Sequence, residues 1–230
     1  MNKSFPVEHA FALCHTGYPE RIEPLRKEMA RVCMLDCCDF VFTNKNPFDK
    51  VFMNTVSHVK KIDESPGFFN LTMGHYSILK AARAMSLDRI LVVEDDCRFL
   101  KNTDEISSIM SRAPREYDIL ILDKFMTKGK TTQVCDGWST CSFWRSAAAF
   151  CINTKAMDRL IGCVESCLKD PPEPMRGYDS YFDTYFIGTD LNIYMSNKNI
   201  AIQCTTPRDL SSTNTKYAAF GVDVSEYAQF

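Results

Sequence analysis

The chain has 230 residues, 45% apolar and 24% charged, with a formal net charge of −2. That is enough for one substantial domain with a buried core, and the charge balance argues against a broadly basic protein and hence a nucleic-acid partner. The N-terminal Met1-Asn2-Lys3-Ser4-Phe5-Pro6 lacks an apolar signal core and no run of about 18 apolar residues follows, so a cytoplasmic protein with no transmembrane segment is expected.

Residues 10–15 read as a short apolar strand, and Thr16-Gly17-Tyr18-Pro19 as the turn after it, with Pro19 placed to open a helix. That helix is expected over 20–32, with Ile22, Leu25, Met29 and Val32 on one face, and a second strand over 39–43. Residues 44–49 follow as a polar loop. The stretch 51–67 has no firm period and contains Ser65-Pro66-Gly67, which reads as a connection.

Residues 70–85 are strongly helical: Leu71, Ile78, Leu79, Ala82 and Met85 recur at helical spacing and deliver the chain into Ile90-Leu91-Val92-Val93. Bounded, β-rich and apolar throughout, this run has the character of a central strand buried on both faces. It ends in three consecutive carboxylates, Glu94, Asp95 and Asp96. Strand alternation points Glu94 and Asp96 one way and Asp95 the other. Like charges about 5 Å apart repel by roughly 3 kcal/mol at an effective dielectric near 20, so such a cluster persists most easily around a cation. A hard divalent ion that also bridges to phosphate is the natural candidate. Acids after a strand also serve as solvated loop residues or caps of the next helix. In open α/β sheets, however, ligands bind at the carboxyl ends of the strands, where these acids fall.

A helix over 103–112 is expected next, with Thr103 as N-cap and Ile106 in place of the acid of a capping box. Residues 117–122 repeat the buried-strand pattern and end at Asp123-Lys124. The stretch 125–144, with Trp138, Phe143 and Trp144, reads as a long functional loop or lid. A strand over 147–152 leads to a helix capped by Thr154 and stopped by Pro171-Pro172-Glu173-Pro174. Asp179 and Asp183 lie four apart in the aromatic segment 178–187 and share a face if it is helical. Strands over 191–195 and 200–204 precede a polar tail, giving one domain over 1–205 and a C-terminal tail over 206–230. Helices alternating with apolar strands argue for an α/β architecture. The 11 cysteines are scattered through apolar segments, where buried thiols are the default expectation, and neither the Cys33, Cys37, Cys38 group nor Cys163 and Cys167 has C-x-x-C spacing.

The order of these pieces resembles glycosyltransferase family 25, which includes lipo-oligosaccharide and collagen galactosyltransferases. The resemblance is carried by Val92-Val93-Glu94-Asp95-Asp96, by the preceding helix with Gly74-His75-Tyr76-Ser77, and by Ser146-Ala147-Ala148-Ala149-Phe150-Cys151-Ile152-Asn153 running into Lys155-Ala156-Met157. Pro19-Glu20-Arg21 stands where the family has an arginine near its first helix. The chain departs from it at Leu13-Cys14-His15-Thr16, where Asn-Leu-Asp is usual, and in Gly-His-Tyr-Ser where Ser-His is commoner.

This resemblance implies a GT-A type fold, a central mostly parallel sheet flanked by helices, and a transferase that moves a sugar such as galactose. The donor is a nucleotide-diphosphate sugar, the acceptor a saccharide or glycoconjugate, and the cofactor Mn2+ or another divalent cation. On that reading Glu94 and Asp96 are metal ligands, and Asp95 binds a ribose or sugar hydroxyl. Arg21 and Arg145 meet phosphate, and His75 and Ser77 contact the donor. Asp179, with Asp183 as alternate, is the catalytic base. Each has a structural counterpart reading: Arg21 as a solvated helix residue, His75 as packing between helix and sheet, Asp179 as a helix cap, the aromatics of 125–144 as lid packing. Nucleotidyl transfer uses the same strand-end acids, and a noncatalytic sugar-binding domain of the same fold is the third alternative.

Overall fold

The computed structural model describes residues 5–43, 66–124, 131–141, 148–169 and 190–204. The first described elements alternate: β1 (His9–His15), α1 (Ile22–Arg31), β2 (Cys38–Thr43), α2 (Pro66–Ala84) and β3 (Arg89–Glu94). A short β4 (Cys97–Phe99) and α3 (Thr103–Met110) lead to β5 (Ile119–Ile121) and to a hairpin of β6 (Gln133–Cys135) and β7 (Trp138–Thr140). β8 (Ala149–Asn153), α4 (Thr154–Lys169), β9 (Ile193–Ser196) and β10 (Ala201–Gln203) complete the order.

Eight strands form one sheet in the order β2-β1-β3-β8-β5-β9-β7-β6, and β4 pairs with β10 in a second. Strands β2, β1, β3, β5, β9 and β6 run one way, while β8 and β7 run against them. The expected mostly parallel sheet is therefore observed in strand direction, although β8 makes antiparallel pairings with both β3 and β5.

Strand alternation sorts the side chains onto two cores. Ala12, Cys14, Leu91 and Val93 face one core with Leu25 and Met29 of α1 and Ile106 of α3. Their chain neighbours Phe11, Leu13, Ile90 and Val92 face the other, with Ile78 and Leu79 of α2 and Leu160 of α4. A strand covered by helices on both sides needs no polar face, which explains the unbroken aliphatic run of β3. Gly74 lets α2 lie close on the sheet: a Cβ there would stand 2.5 Å from Thr43 Cγ2 and 2.6 Å from Leu13 Cδ1.

Several local details differ from the sequence expectation. The cap of α3 is Asn102, not Thr103: Asn102 Oδ1 accepts from the Glu105 amide at 2.9 Å, and Glu105 Oε2 accepts from the Asn102 amide at 3.1 Å, a complete capping box. Thr103 instead donates its hydroxyl to the Arg31 carbonyl. In the same way Asn153, not Thr154, caps α4 by accepting from the Ala156 amide at 3.0 Å. In both cases the residue one step back, still extended, can aim its carbonyl oxygen at the free amides, whereas the β-branched hydroxyl bonds across to a neighbouring segment. The stretch expected as a loop contains the β6–β7 hairpin, turned at Asp136-Gly137 with Gly137 at φ +85. Trp138 is fully buried and donates Nε1–H to the Ile109 carbonyl at 3.2 Å, so it is a core residue rather than part of a lid. Among the described residues no helix is long and apolar enough to cross a membrane.

Candidate active site

Chain order and strand order diverge at β1. From β1 the chain passes to β2 on one side, then returns through α2 to β3 on the other side. The carboxyl ends of β1 and β3, parallel neighbours, thus flank a topological switch point, where open α/β sheets leave a crevice for a ligand.

The three acids of the strand end lie there, and each is held differently. Glu94, continuing the alternation of Ile90 and Val92, points to the α2 side, where His75 Nε2 lies 3.1 Å from its Oε1. Asp95 points to the opposite side. It accepts from the His15 amide at 2.7 Å and from Arg21 Nη1 at 2.9 Å. Asp96 breaks the expected pattern: the strand ends at Glu94 and the chain turns through Asp95 and Asp96, so Asp96 joins Asp95 rather than Glu94. Arg21 Nη1 stands 3.4 Å from Asp96 Oδ2, and Gln203 Nε2 of β10 donates to the same oxygen at 3.2 Å. The Asp96 carbonyl accepts from the Cys204 amide at 2.7 Å, which ties the small β4–β10 sheet to the acid turn.

Asp96 is 7% exposed, and its Oδ1 has no hydrogen-bond partner among the described residues. Burial first, then the negative charges of Glu94 and Asp95, push its carboxyl up to about 8, against the pull of Arg21 and the Gln203 hydrogen bond. The guanidinium of Arg21 lies under the Tyr18 ring, 4.2 Å from the ring centroid, and His15 and Tyr18 rings pack at 5.1 Å. Arg21 Nε and Nη2 donate to no group among the described residues. Burial also holds nearby thiols protonated, with Cys14 and Cys204 both pushed up to about 12, so neither is a ready nucleophile.

Arg21, His75, Glu94, Asp95 and Asp96 are therefore brought together. Ser77 is not: two residues beyond His75 on the helix, it is exposed and donates its hydroxyl to the Met73 carbonyl at 2.8 Å. Arg145, Asp179 and Asp183, with Phe143 and Trp144, lie outside the described residues. Sequence reasoning missed Gln203, because nothing local marks a glutamine in a three-residue strand, and gave no role to Tyr18, which it placed only in the turn after the first strand. Asp118, another buried acid, sits at the opposite end of the sheet, accepting from the Asn192 amide at 2.7 Å and Asn153 Nδ2 at 2.8 Å, a structural role.

Among the described residues no three His, Cys, Asp or Glu side chains form a cage for a divalent cation. An orphaned, buried carboxylate oxygen beside two more acids nevertheless fits a hard ion bound by one or two carboxylates, with the remaining positions left to a substrate's phosphates.

No protein-family model matches the chain, and no curated protein shows significant sequence similarity to it. Solved structures similar to it include a glycosyltransferase involved in the glycosylation of the major capsid of PBCV-1, at a TM-score of 0.48 and 10% identity, covering 85% of this chain and 94% of that one. The apo form of the glycosyltransferase GlyE of Streptococcus pneumoniae TIGR4 gives 0.46 and 12%, covering 81% of this chain and 44% of that one. A mannose-1-phosphate geranyltransferase from Thermus thermophilus gives 0.45 and 8%, covering 82% and 74%. These scores are below 0.5, and the architecture is defined by the strand order and directions above.

Proposed function

We propose that the chain is a glycosyltransferase of the GT-A type that moves a sugar from a nucleotide-diphosphate donor to a saccharide or glycoconjugate acceptor, with a divalent ion held at Asp96; Glu94, expected as its co-ligand, faces His75 on the other side of the sheet. The observation that carries this reading is the acid cluster at the carboxyl end of β3, at the switch point of the sheet, with an arginine and an aromatic ring beside it. Galactose is the first donor sugar to assay, because the family that the sequence resembles includes galactosyltransferases. A cytoplasmic location belongs to the same proposal.

The chemistry asks for stabilisation of a departing diphosphate. When bound, the ion supplies Lewis-acid neutralisation of that leaving group. The chain's own residues do the rest. Arg21 presents Nε–H and Nη2–H as a planar donor edge suited to phosphate oxygens. Tyr18 restrains the guanidinium from one side. Asp95, already fixed by the His15 amide, keeps Arg21 at the crevice and can accept from a ribose or sugar hydroxyl through its remaining lone pairs. His75 fixes the carboxylate of Glu94. Asp179, with Asp183 as alternate, is the proposed base that takes the acceptor proton.

Release of nucleoside diphosphate from a panel of nucleotide sugars, with and without Mn2+, tests the proposal. The wild type should turn over at least one donor, and Asp96→Ala should lose turnover while its thermal unfolding stays close to wild type. Full turnover in that variant removes the role assigned to Asp96, and attack at the α-phosphate in place of sugar transfer would indicate nucleotidyl transfer.

A further inference from the structure

We propose that Arg21 is a built-in counter-ion that competes with the divalent cation for Asp96, so that cation entry frees the guanidinium toward the donor's diphosphate; this rests on the glycosyltransferase reading above.

Three features of the geometry lead there. The two carboxylates that share Arg21 Nη1 are held unequally, Asp95 at 2.9 Å and Asp96 at 3.4 Å, the second beyond the usual range of a strong N–H···O bond. Asp95 is also fixed from behind by the His15 amide at 2.7 Å, whereas Asp96 keeps an oxygen, Oδ1, with no hydrogen-bond partner among the described residues. That oxygen belongs to a side chain more than nine-tenths buried. The weaker partner of Arg21 is thus also the one with coordination capacity left over.

A guanidinium carries one positive charge, and Asp95, at the shorter distance, takes most of it. A divalent ion beside Asp96 takes over that carboxylate and repels Arg21, which remains tethered through the shorter bond to Asp95. The Tyr18 ring, its centroid 4.2 Å from the guanidinium carbon, covers Arg21 on that side and blocks movement toward it. Released from Asp96, Arg21 can turn the Nη1 hydrogen that faced that carboxylate toward a phosphate oxygen, beside its Nε and Nη2 donors. Arg21 is in this account a positioning residue that links ion binding to donor binding, and each favours the other. In the absence of ion, it holds the acid turn together.

Calorimetric titration of Mn2+ into wild type, Arg21→Gln and Arg21→Lys, without nucleotide, tests this directly. Removing a positive charge within contact distance should tighten Mn2+ binding by about ten-fold or more in Arg21→Gln. Arg21→Lys, whose shorter side chain sets its charge farther from Asp96 than Nη1, should fall between that variant and wild type. A parallel titration with uridine diphosphate alone should show weaker binding in Arg21→Gln. Equal or weaker Mn2+ affinity in either folded variant overturns the competition while leaving the metal reading intact. Absence of Mn2+ binding in wild type and variants alike overturns both. If Arg21→Gln does not fold, Arg21→Lys decides alone, a wild-type Mn2+ affinity counting against the proposal.

Discussion

His75, 1% exposed on α2, places Nε2 3.1 Å from Glu94 Oε1 at the end of β3, so a helix buried against the sheet holds one carboxylate of the acid cluster. The ring also packs on Phe150 with centroids 5.8 Å apart. Its two roles, packing and orientation of Glu94, separate on substitution. His75→Ala should cost about 2–4 kcal/mol, from the cavity and from the hydrogen bond lost at the part-buried Glu94 carboxylate. His75→Gln, which keeps a donor, should cost less and retain more donor turnover than the alanine variant. Urea denaturation with a parallel turnover assay checks both.

Gly74 is needed for its missing side chain. An added Cβ meets the branched Thr43 side chain and Leu13 at distances well inside contact, and Thr43 is buried with little room to yield. Alanine is the better helix former by about 1 kcal/mol, so a free helix would gain. Here overpacking should win, and Gly74→Ala should be net destabilising by about 1–2 kcal/mol in chemical denaturation.

Two helices end on non-glycine residues in the left-handed region, Cys33 and Ser86, both at φ 57. Each sits where the following amide closes the helix: Met34 to the Met29 carbonyl at 2.9 Å and Leu87 to the Ala82 carbonyl at 3.0 Å. Cys33→Gly and Ser86→Gly should each stabilise by about 0.5–1 kcal/mol, read as a raised thermal midpoint. Serine and cysteine at these positions carry no sequence signal for a left-handed cap.

Asp96 makes stability depend on pH in an unusual direction. In the unfolded chain it ionises near 3.8, while in the folded protein it keeps its proton to about 8. Between those values the folded state binds the extra proton, so stability falls as pH rises through the window, with the full penalty present above it. Asp96→Asn should remove most of that slope and exceed wild type by ~1 kcal/mol or more at pH 8. Denaturation midpoints of the two proteins from pH 5 to about pH 8 measure it directly.

The parts of the fold readable from sequence were those fixed by local pattern. The run Ile90 to Val93 shows its burial on both faces through composition alone, and the amphipathic spacing of Leu25 and Met29 places α1. The Asp136-Gly137 turn and the Asn102-to-Glu105 spacing were also present as signals, each one step from the residues that drew attention. What was not readable depends on long-range pairing. Asp96 leaves the expected face because the strand ends two residues earlier, and Gln203 reaches it only because β10 pairs with β4, 107 residues away in sequence from the acid it touches. Arg21 was legible as an arginine at the strand-to-helix turn before α1, but its bridge to Asp95 and Asp96 requires the β1–β3 pairing.

The central claim, that the acid turn after β3 holds an ion and a nucleotide diphosphate, is tested most directly by anomalous diffraction from crystals soaked with uridine diphosphate and Mn2+. The account expects a manganese peak ~2–2.5 Å from a carboxylate oxygen of Asp96, with the diphosphate beside Arg21. Manganese and nucleotide bound elsewhere, with Asp96 unchanged, would contradict it.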